Sequence, residues 1–184
     1  MDSHAPGRKH GFWQSEQAPL LFLALAKLLL HFVVNLFTAY GYFRDELYYI
    51  ACSDHLAMGY VDHPPLSLFI LAASRLLFGD SLFALRLTSS LASAAVVFLT
   101  GLIARELGGQ RYAQFMAALA SFCSLVLIGM CGIFSMNAFD ILLWAAAVLV
   151  VLRIIKTEKP SLWLWLGVIV GLGALNKISM LWLG

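Results

Sequence analysis

Five long apolar segments constrain this chain more than any other feature, because a membrane-spanning helix needs about 20 mostly apolar residues. A backbone that crosses lipid must pair its own polar groups, and a single apolar segment does so as an α-helix. The chain is 61% hydrophobic and only 12% charged, so we predict an all-α integral membrane protein. The five predicted transmembrane helices are Leu20–Tyr42, Leu82–Ala104, Tyr112–Phe134, Ala138–Ile155 and Leu162–Asn176.

A sixth apolar run, Leu66–Phe78, is shorter than the roughly 20 residues that a membrane-spanning helix needs, and it contains Arg75. Pro64 and Pro65 suit the first turn of a helix, and Gly79 suits its end. We therefore predict an amphipathic helix that lies flat on the outer membrane surface.

Basic residues predict the orientation, because short loops rich in Lys and Arg stay in the cytoplasm. With five spans, the basic segments Arg8–Lys9, Arg105–Arg111 and Arg153–Lys159 all fall on one side. The N-terminal tail, residues 1–19, is therefore predicted to be cytoplasmic. The loop 43–80, which is rich in acidic residues, is predicted to lie on the outer side.

Other features limit the classes of function. A net charge of +2 gives no reason to expect nucleic acid as a partner. Cys52, Cys123 and Cys131 lack the spacing of metal ligands. The chain stops at Gly184 directly after an apolar segment, so we expect the N-terminal part of a longer protein.

The acid pair Asp45–Glu46 directly follows the first span. A carboxylate at the membrane surface can act as a general base or bind a metal, and Asp45 is the leading candidate. The alternative is that Asp45 only caps a surface helix, which we predict for Asp45–Gly59. In such a helix Asp54 points nearly opposite to Asp45, so these two carboxylates are not expected to form a catalytic pair.

The tetrapeptide Asp62-His63-Pro64-Pro65 closes the same loop. It is either a turn before a helix or a rigid segment that directs Asp62 and His63 toward a site. His63 could bond a phosphate or ligate a metal. Asp45 and His63 are thus candidate ligands of a divalent metal, although no ligand spacing requires one.

Two later polar positions also fall on the predicted outer side. Lys177 ends the last span, where it either snorkels to the interface or holds the phosphate of a lipid-linked donor. Asn137 and Asp140 lie at another helix start, where we expect Asn137 to be the N-cap. Arg75 and Arg86 are expected to anchor to lipid headgroups.

Lys27, His31 and Asn35 form one polar stripe within the first span. Polar groups inside a membrane usually face a bundle interior or a cavity. We expect the stripe to pack against later helices beyond this chain. The alternative is a proton path in a transporter.

Several motifs in order resemble the membrane-embedded GT-C glycosyltransferases, above all the dolichyl-phosphate-mannose protein mannosyltransferase and aminoarabinose transferase group and its bacterial members. The motifs are the pair Asp45–Glu46, His63-Pro64-Pro65-Leu66, Leu85-Arg86-Leu87, Ala104-Arg105-Glu106-Leu107, and Gly171 to Lys177. The resemblance covers about residues 20–184, which it identifies as the N-terminal part of a GT-C polytopic helix bundle. It implies flat juxtamembrane helices in the first outer loop and an outer catalytic loop at 43–80.

The resemblance also implies a function. A sugar would pass from a polyprenyl-phosphate donor to an acceptor glycan, lipid or protein outside the cytoplasm, in a bacterial inner membrane. Asp45 would be the catalytic carboxylate, with Glu46 as its neighbour. The family's His-Pro-Pro motif would correspond to His63, Pro64 and Pro65, and its lysine to Lys177. From the residues themselves we add Arg44, Asp62 and Asp140 as candidates that bind the donor or its phosphate. The sequence departs from many relatives at Asn176, where they have Thr.

Two alternative hypotheses assign the protein a function other than glycosyl transfer. A transporter or lipid flippase would use the Lys27, His31 and Asn35 stripe. A non-catalytic scaffold would tolerate replacement of the outer carboxylates.

Overall fold

The computed structural model describes residues 17–183, and these residues form helices joined by short loops. The helices are α1 (Ala18–Phe37), α2 (Arg44–Ser53), α3 (Leu66–Phe78), α4 (Leu82–Glu106), α5 (Arg111–Cys123), α6 (Leu125–Gly132), α7 (Met136–Thr157) and α8 (Pro160–Asn176), followed by a 3₁₀ segment, Ile178–Leu183. Most of the predicted cytoplasmic tail, residues 1–16, lies outside the described residues.

The bundle is organised around α4, which packs against α1, α5 and α7. Helices α2 and α3 lie together at one end, called here the α2–α3 end. The turn between α4 and α5 marks the opposite end, called the α4–α5 end. Two clusters form the core, one nearer each end. The first contains Tyr49, Leu68, Leu71, Leu85, Phe134 and Phe139, and the second contains Leu20, Leu23, Val97, Leu102, Ala118 and Leu149.

Three helices in the described part of the chain, α1, α4 and α7, are long and apolar enough to cross a membrane. Helices α5 and α6 form a fourth span only as a pair that is bent by 54°. Helix α8 has 17 residues and is too short to count by itself. The structure therefore confirms an all-helical membrane protein with three or four candidate spans, and the fifth predicted span stays a prediction.

Of the two helices predicted in the first outer loop, α2 is shorter than predicted, whereas α3 has the predicted bounds, Leu66–Phe78. Helix α2 stops at Ser53 rather than at Gly59, and Asp54 is its C-cap. Helix α3 begins after its prolines, with Pro65 at the N-cap, and ends at Gly79 as predicted. Gly79 has φ +80°, a left-handed conformation that glycine adopts without a side-chain clash. The flat orientation of α2 and α3 on a membrane surface stays a prediction.

The polar stripe of α1 packs inside this bundle, so the expectation that it contacts later helices beyond this chain is wrong. Lys27 is fully buried, and its Nζ donates to the carbonyl of Phe122 at 2.8 Å. That carbonyl lies in the last turn of α5, where the bent pair breaks and the helix dipole favours a cation. His31 pairs with Ser93 on α4 at 3.0 Å between Nε2 and Oγ. The stripe thus holds α1 against α4 and α5.

A buried ion pair fixes α2 to the bundle. The Arg86 guanidinium on α4 donates to both carboxylate oxygens of Glu46, from Nε at 2.8 Å and from Nη2 at 2.7 Å. The side chains are 4% and 0% exposed. Arg86 Nη2 also donates to the Gly41 carbonyl at 3.0 Å. The expectation that Arg86 anchors to lipid headgroups is therefore wrong.

Replacing Arg86 by Leu should strongly destabilise the protein, because it leaves the Glu46 carboxylate buried without its cation. Breaking one side of a buried pair typically costs about 3–5 kcal/mol. The measurement is the thermal unfolding midpoint of the purified protein in detergent.

The matched control is Arg44→Leu, because the Arg44 side chain is 91% exposed in its pair with Asp45. Exposed pairs contribute about 1 kcal/mol or less, so its midpoint should stay close to wild type. Equal midpoints for the Arg86 and Arg44 variants would contradict the assignment.

Candidate functional site

The structure separates the acid pair at the start of α2. Glu46 faces inward and is fully buried, whereas the Asp45 side chain is 50% exposed. Both lie in the first helical turn, but Phe43 is the N-cap, so Asp45 is not the cap that the alternative interpretation expected. Arg44 Nε lies 3.3 Å from Asp45 Oδ1. Asp45 is thus an accessible carboxylate beside a cation.

Glu46 uses its carboxylate to hold other parts of the chain. Besides its bonds with Arg86, it accepts from the backbone N–H of Phe43 and from that of Phe134, each at 2.8 Å. Phe134 lies in the loop between α6 and α7. One turn further along α2, Tyr49 Oη accepts from the N–H of Met136 at 3.3 Å. These bonds join the start of α2 to the start of α7.

Tyr48 connects α2 with the loop that precedes α3. It lies three residues after Asp45, on the same side of the helix. Its hydroxyl donates to Asp62 Oδ2 at 3.1 Å. This bond to the Asp62 carboxylate is the largest cause that raises the pKa of Tyr48 to about 12. Tyr48 therefore stays protonated at neutral pH and holds Asp62 near the Asp45 side of α2.

His63 is enclosed by three tyrosines. Its ring stacks on Tyr49 with centroids 5.0 Å apart and meets Tyr48 edge-on at 5.7 Å. Tyr60 lies at 5.4 Å. The Nδ1 atom is 3.2 Å from the Pro64 carbonyl, which assigns the proton to Nδ1 when the ring is neutral. Nε2 is buried and has no hydrogen-bond partner among residues 17–183.

An unpaired buried polar atom is costly, so His63 Nε2 marks a place where a ligand group would gain a bond. A small open cavity of about 210 Å³ adjoins it. The cavity is lined by Tyr60, Val61, Asp62, His63, Pro64 and Ile178. Ile178 directly follows Lys177, so the cavity lies between the His63 loop and the end of α8.

Lys177 and Asp140 are brought together at the α2–α3 end. Lys177 Nζ donates to Asn137 Oδ1 at 2.8 Å and lies 3.7 Å from Asp140 Oδ2. The Ser179 hydroxyl donates to Asp140 Oδ1 at 2.6 Å. Ser135 occupies the N-cap position of α7, so the prediction that Asn137 is the N-cap is wrong.

The far end of α2 forms a separate ionic network. Arg75 Nη1 donates to Asp54 Oδ1 at 2.7 Å, and Arg75 Nε donates to Asp80 Oδ1 at 2.5 Å. The bond to Asp80 is the largest cause that raises the pKa of Arg75. The expectation that Arg75 anchors to lipid headgroups is therefore wrong. Asp54 is engaged in this network at the end of α2 opposite to Asp45.

Sequence reasoning missed the roles of three residues. Arg86 could have been found, because an arginine inside an apolar span needs a partner. Tyr48 carried no signal beyond its position one turn after Asp45. Asn176 is fully buried and donates from Nδ2 to the Met136 carbonyl at 2.9 Å, while its Oδ1 has no partner in the described part of the chain.

No group of three His, Cys, Asp or Glu side chains that could hold a metal ion occurs within residues 17–183. The metal ligation predicted for Asp45 and His63 stays a prediction.

Comparisons with known proteins place the chain in a family. The chain is 28% identical over 133 residues to an undecaprenyl phosphate-alpha-4-amino-4-deoxy-L-arabinose arabinosyl transferase 2 of Pseudomonas fluorescens. This match covers 70% of the chain and 23% of the relative, so the chain spans about a quarter of that protein's length. No solved structure matches. The family model for dolichyl-phosphate-mannose-protein mannosyltransferases matches residues 62–184, which include Asp62, His63, Asp140 and Lys177. Because this match extends over more than half of the chain, the protein belongs to the dolichyl-phosphate-mannose-protein mannosyltransferase family.

Proposed function

We propose that the protein transfers a sugar from a polyprenyl-phosphate donor to an acceptor on the non-cytoplasmic side of a bacterial inner membrane, with its N-terminus in the cytoplasm. Family membership supports the reaction class. The acceptor is a glycan, lipid or protein with a nucleophilic group, and the donor's prenyl chain lies in the surrounding lipid.

One observation carries this proposal, namely the meeting of three distant chain segments at the α2–α3 end. Asp45 lies at the start of α2, and Tyr48 on the same side of α2 bonds Asp62. The Asp62–His63 segment and Ile178, next to Lys177, line one cavity. An accessible carboxylate, an unpaired imidazole nitrogen and an ammonium group thus belong to one end of the bundle. These are the groups that a transfer from a sugar phosphate requires.

Asp45 is the proposed catalytic carboxylate. It accepts the proton of the acceptor hydroxyl while the hydroxyl oxygen bonds to the anomeric carbon of the donor sugar. The bond from that carbon to the phosphate oxygen breaks, and its electron pair leaves with the polyprenyl phosphate. Attack opposite to the leaving phosphate inverts the anomeric configuration. General base action of this kind contributes roughly 10²–10⁴-fold.

The leaving phosphate needs charge compensation rather than a proton. Lys177 is the proposed cation, because its ammonium is partly exposed and its 3.7 Å distance to Asp140 leaves room for a second anion. His63 Nε2 is the proposed hydrogen-bonding group in the neighbouring cavity. Arg44 lies beside Asp45 and is the second candidate cation.

Glu46 was predicted as a catalytic neighbour of Asp45, and its environment supports a positioning role instead. Its carboxylate already accepts four hydrogen bonds, two from Arg86 and one each from the backbone of Phe43 and Phe134. A fully bonded, buried carboxylate has little capacity to accept a substrate proton. We infer that Glu46 sets the position of Asp45.

The competing transporter hypothesis loses its support, because the bonds of the α1 stripe are internal. Lys27 bonds the Phe122 carbonyl, His31 bonds Ser93, and Asn35 Oδ1 lies 3.5 Å from Arg86 Nη1. Family membership also favours a transferase.

Changing Asp45 to Asn should lower the turnover by about 10²–10⁴-fold, because the amide cannot accept the proton. The matched control is Asp54→Asn, which changes the same chemical group at the other end of α2. The Asp54 side chain is 53% exposed and lies at the end of α2 away from Asp45, so its replacement should leave turnover nearly unchanged.

The measurement is the appearance of sugar-modified acceptor and the accumulation of lipid-linked sugar in cells with matched membrane expression, followed by mass spectrometry. Normal turnover in a well-expressed Asp45→Asn variant would refute the catalytic assignment. If the His31→Ala variant loses function while Asp45→Asn keeps it, the transport hypothesis is favoured.

Changing Lys177 to Met should lower kcat/KM for the lipid-linked donor by about 10–100-fold, because hydrogen bonds to charged groups contribute about 1.5–3 kcal/mol. The control is Lys159→Met, which removes a lysine from the opposite end of α8, where Lys159 is the N-cap residue. Initial rates at varied donor concentration are the measurement. If the two variants lower kcat/KM equally, the effect comes from general charge at the membrane rather than from a contact between Lys177 and the donor phosphate.

A further inference from the structure

A cavity at the α4–α5 end takes no part in the proposed transfer reaction. It measures about 510 Å³ and is lined by Arg105, Gly108, Gly109, Gln110, Arg111, Tyr112 and Gln114. These residues contribute two guanidinium groups and no carboxylate. The cavity is therefore a recess lined by basic side chains at the end of two bundle helices.

A tight turn builds the floor of this recess. Gly108 has φ +92°, and the N–H of Gly109 donates to the Ala104 carbonyl at 2.8 Å. A Cβ atom at Gly109 would lie 2.7 Å from the same carbonyl oxygen, so only glycine fits. The N–H of Gly108 donates to the Arg105 carbonyl at 2.9 Å. The turn thus occupies the carbonyls at the end of α4 and brings the start of α5 directly beside them.

The N-terminus of α5 lies at the recess. Gln110 is the N-cap residue, and its side chain makes no capping hydrogen bond. The first N–H groups of a helix have no partner within the helix, and together with the helix dipole they favour an anion. Gln110, Arg111 and Tyr112 line the cavity where these groups begin.

The Glu106 carboxylate, at the end of α4 beside the recess, pairs with several cations. Glu106 lies 3.1 Å from Arg153, 3.5 Å from Lys156 and 3.7 Å from Arg105. Arg105 therefore has the longest of these three contacts, and its guanidinium keeps donor capacity for an anion in the recess. Arg111 has interactions of its own, and the site does not depend on it.

A second, independent observation points to a ligand. Gln114 lines the cavity and is only 3% exposed. Its Nε2 donates to the Gly109 carbonyl at 3.0 Å, which fixes the amide orientation. Its Oε1 has no hydrogen-bond partner among residues 17–183. A buried acceptor of this kind requires a donor, so the ligand carries a hydroxyl or an ammonium group as well as an anionic group.

The location of the recess favours a membrane lipid over a soluble molecule as the ligand. It lies where the long span α4 ends, and the exposed side chains of Leu107 and Tyr112 flank it. Aromatic side chains such as tyrosine are enriched at the level of lipid headgroups. Basic recesses between membrane helices bind anionic headgroups. A membrane phospholipid reaches this position while its acyl chains stay in the bilayer, whereas a soluble phosphate would have to leave bulk water to bind there.

We infer that the α4–α5 recess binds one anionic phospholipid whose headgroup carries a hydroxyl, such as phosphatidylglycerol. The phosphate lies at the start of α5 beside Arg105, and a headgroup hydroxyl donates to Gln114 Oε1. A bound lipid there would hold α4 and α5 together at the end of the bundle opposite to the proposed catalytic groups.

The test compares lipids that differ in one group. Native mass spectrometry of the purified protein measures binding of phosphatidylglycerol and of phosphatidylmethanol, which has the same charge but no headgroup hydroxyl. The wild type should bind phosphatidylglycerol more tightly. Gln114→Leu should abolish this preference without weakening phosphatidylmethanol binding. Arg105→Gln should weaken both lipids by about tenfold or more, because it removes a charged donor.

The matched control is Lys159→Gln, which removes a positive charge from the same end of the bundle but not from the cavity lining. It should change lipid affinity by about twofold at most, as expected for a screened charge. Equal weakening by Arg105→Gln and Lys159→Gln would overturn the site in favour of general surface charge. Displacement of the lipid by millimolar inorganic phosphate would overturn the lipid assignment in favour of a free phosphate site.

Thermal unfolding midpoints distinguish a loss of lipid binding from misfolding of a variant. Added phosphatidylglycerol should raise the midpoint of the wild type and of Lys159→Gln, because a ligand that binds the folded state stabilises it. The midpoint of Arg105→Gln should respond less. An equal rise in all three proteins would contradict the inference.

Discussion

The buried pair of Glu46 and Arg86 organises the α2–α3 end of this protein. It joins α2 to α4 by two charge-assisted hydrogen bonds. Through the backbone of Gly41 and Phe134, it also joins the end of the α1–α2 loop and the α6–α7 loop. Removing two charges from water is unfavourable, and only a nearly complete set of bonds offsets that cost. Here the Glu46 carboxylate has such a set, so the four segments are held in one arrangement.

The position of Asp45 follows from this pair. Helix α2 has only 10 residues, and a helix of that length is marginal by itself in water. Its stability therefore comes from Glu46, from the packing of Tyr49 and from the Tyr48 bond with Asp62. Once Glu46 is directed inward, the preceding residue lies about 100° away around the helix and is exposed. A chemically similar pair of neighbours thus becomes one structural and one accessible carboxylate.

Polar groups elsewhere in the bundle are likewise stabilised by specific partners on other segments. Lys27 lies within the first span, where a charge without a partner would be costly. It meets the last turn of α5, whose carbonyl at Phe122 is available because the α5–α6 pair bends there. The bend and the lysine therefore stabilise each other. At the α4–α5 end, Glu106 pairs with Arg105, Arg153 and Lys156, and Arg105 also lines the recess beside α5.

The sequence by itself determined the all-helical membrane class, since long apolar segments can satisfy their backbone in lipid only as helices. It also determined the approximate helix positions, the end of α3 at Gly79 and the family resemblance. Only the tertiary structure decided which polar residues pair. Glu46 with Arg86, Lys27 with Phe122 and Lys177 with Asn137 lie 40 or more residues apart in sequence. Helical periodicity specifies which side of one helix a residue occupies, but the partner on another helix depends on how the helices pack. For the same reason the sequence could identify Asp45 and Glu46 as a pair, but not which of the two would be buried.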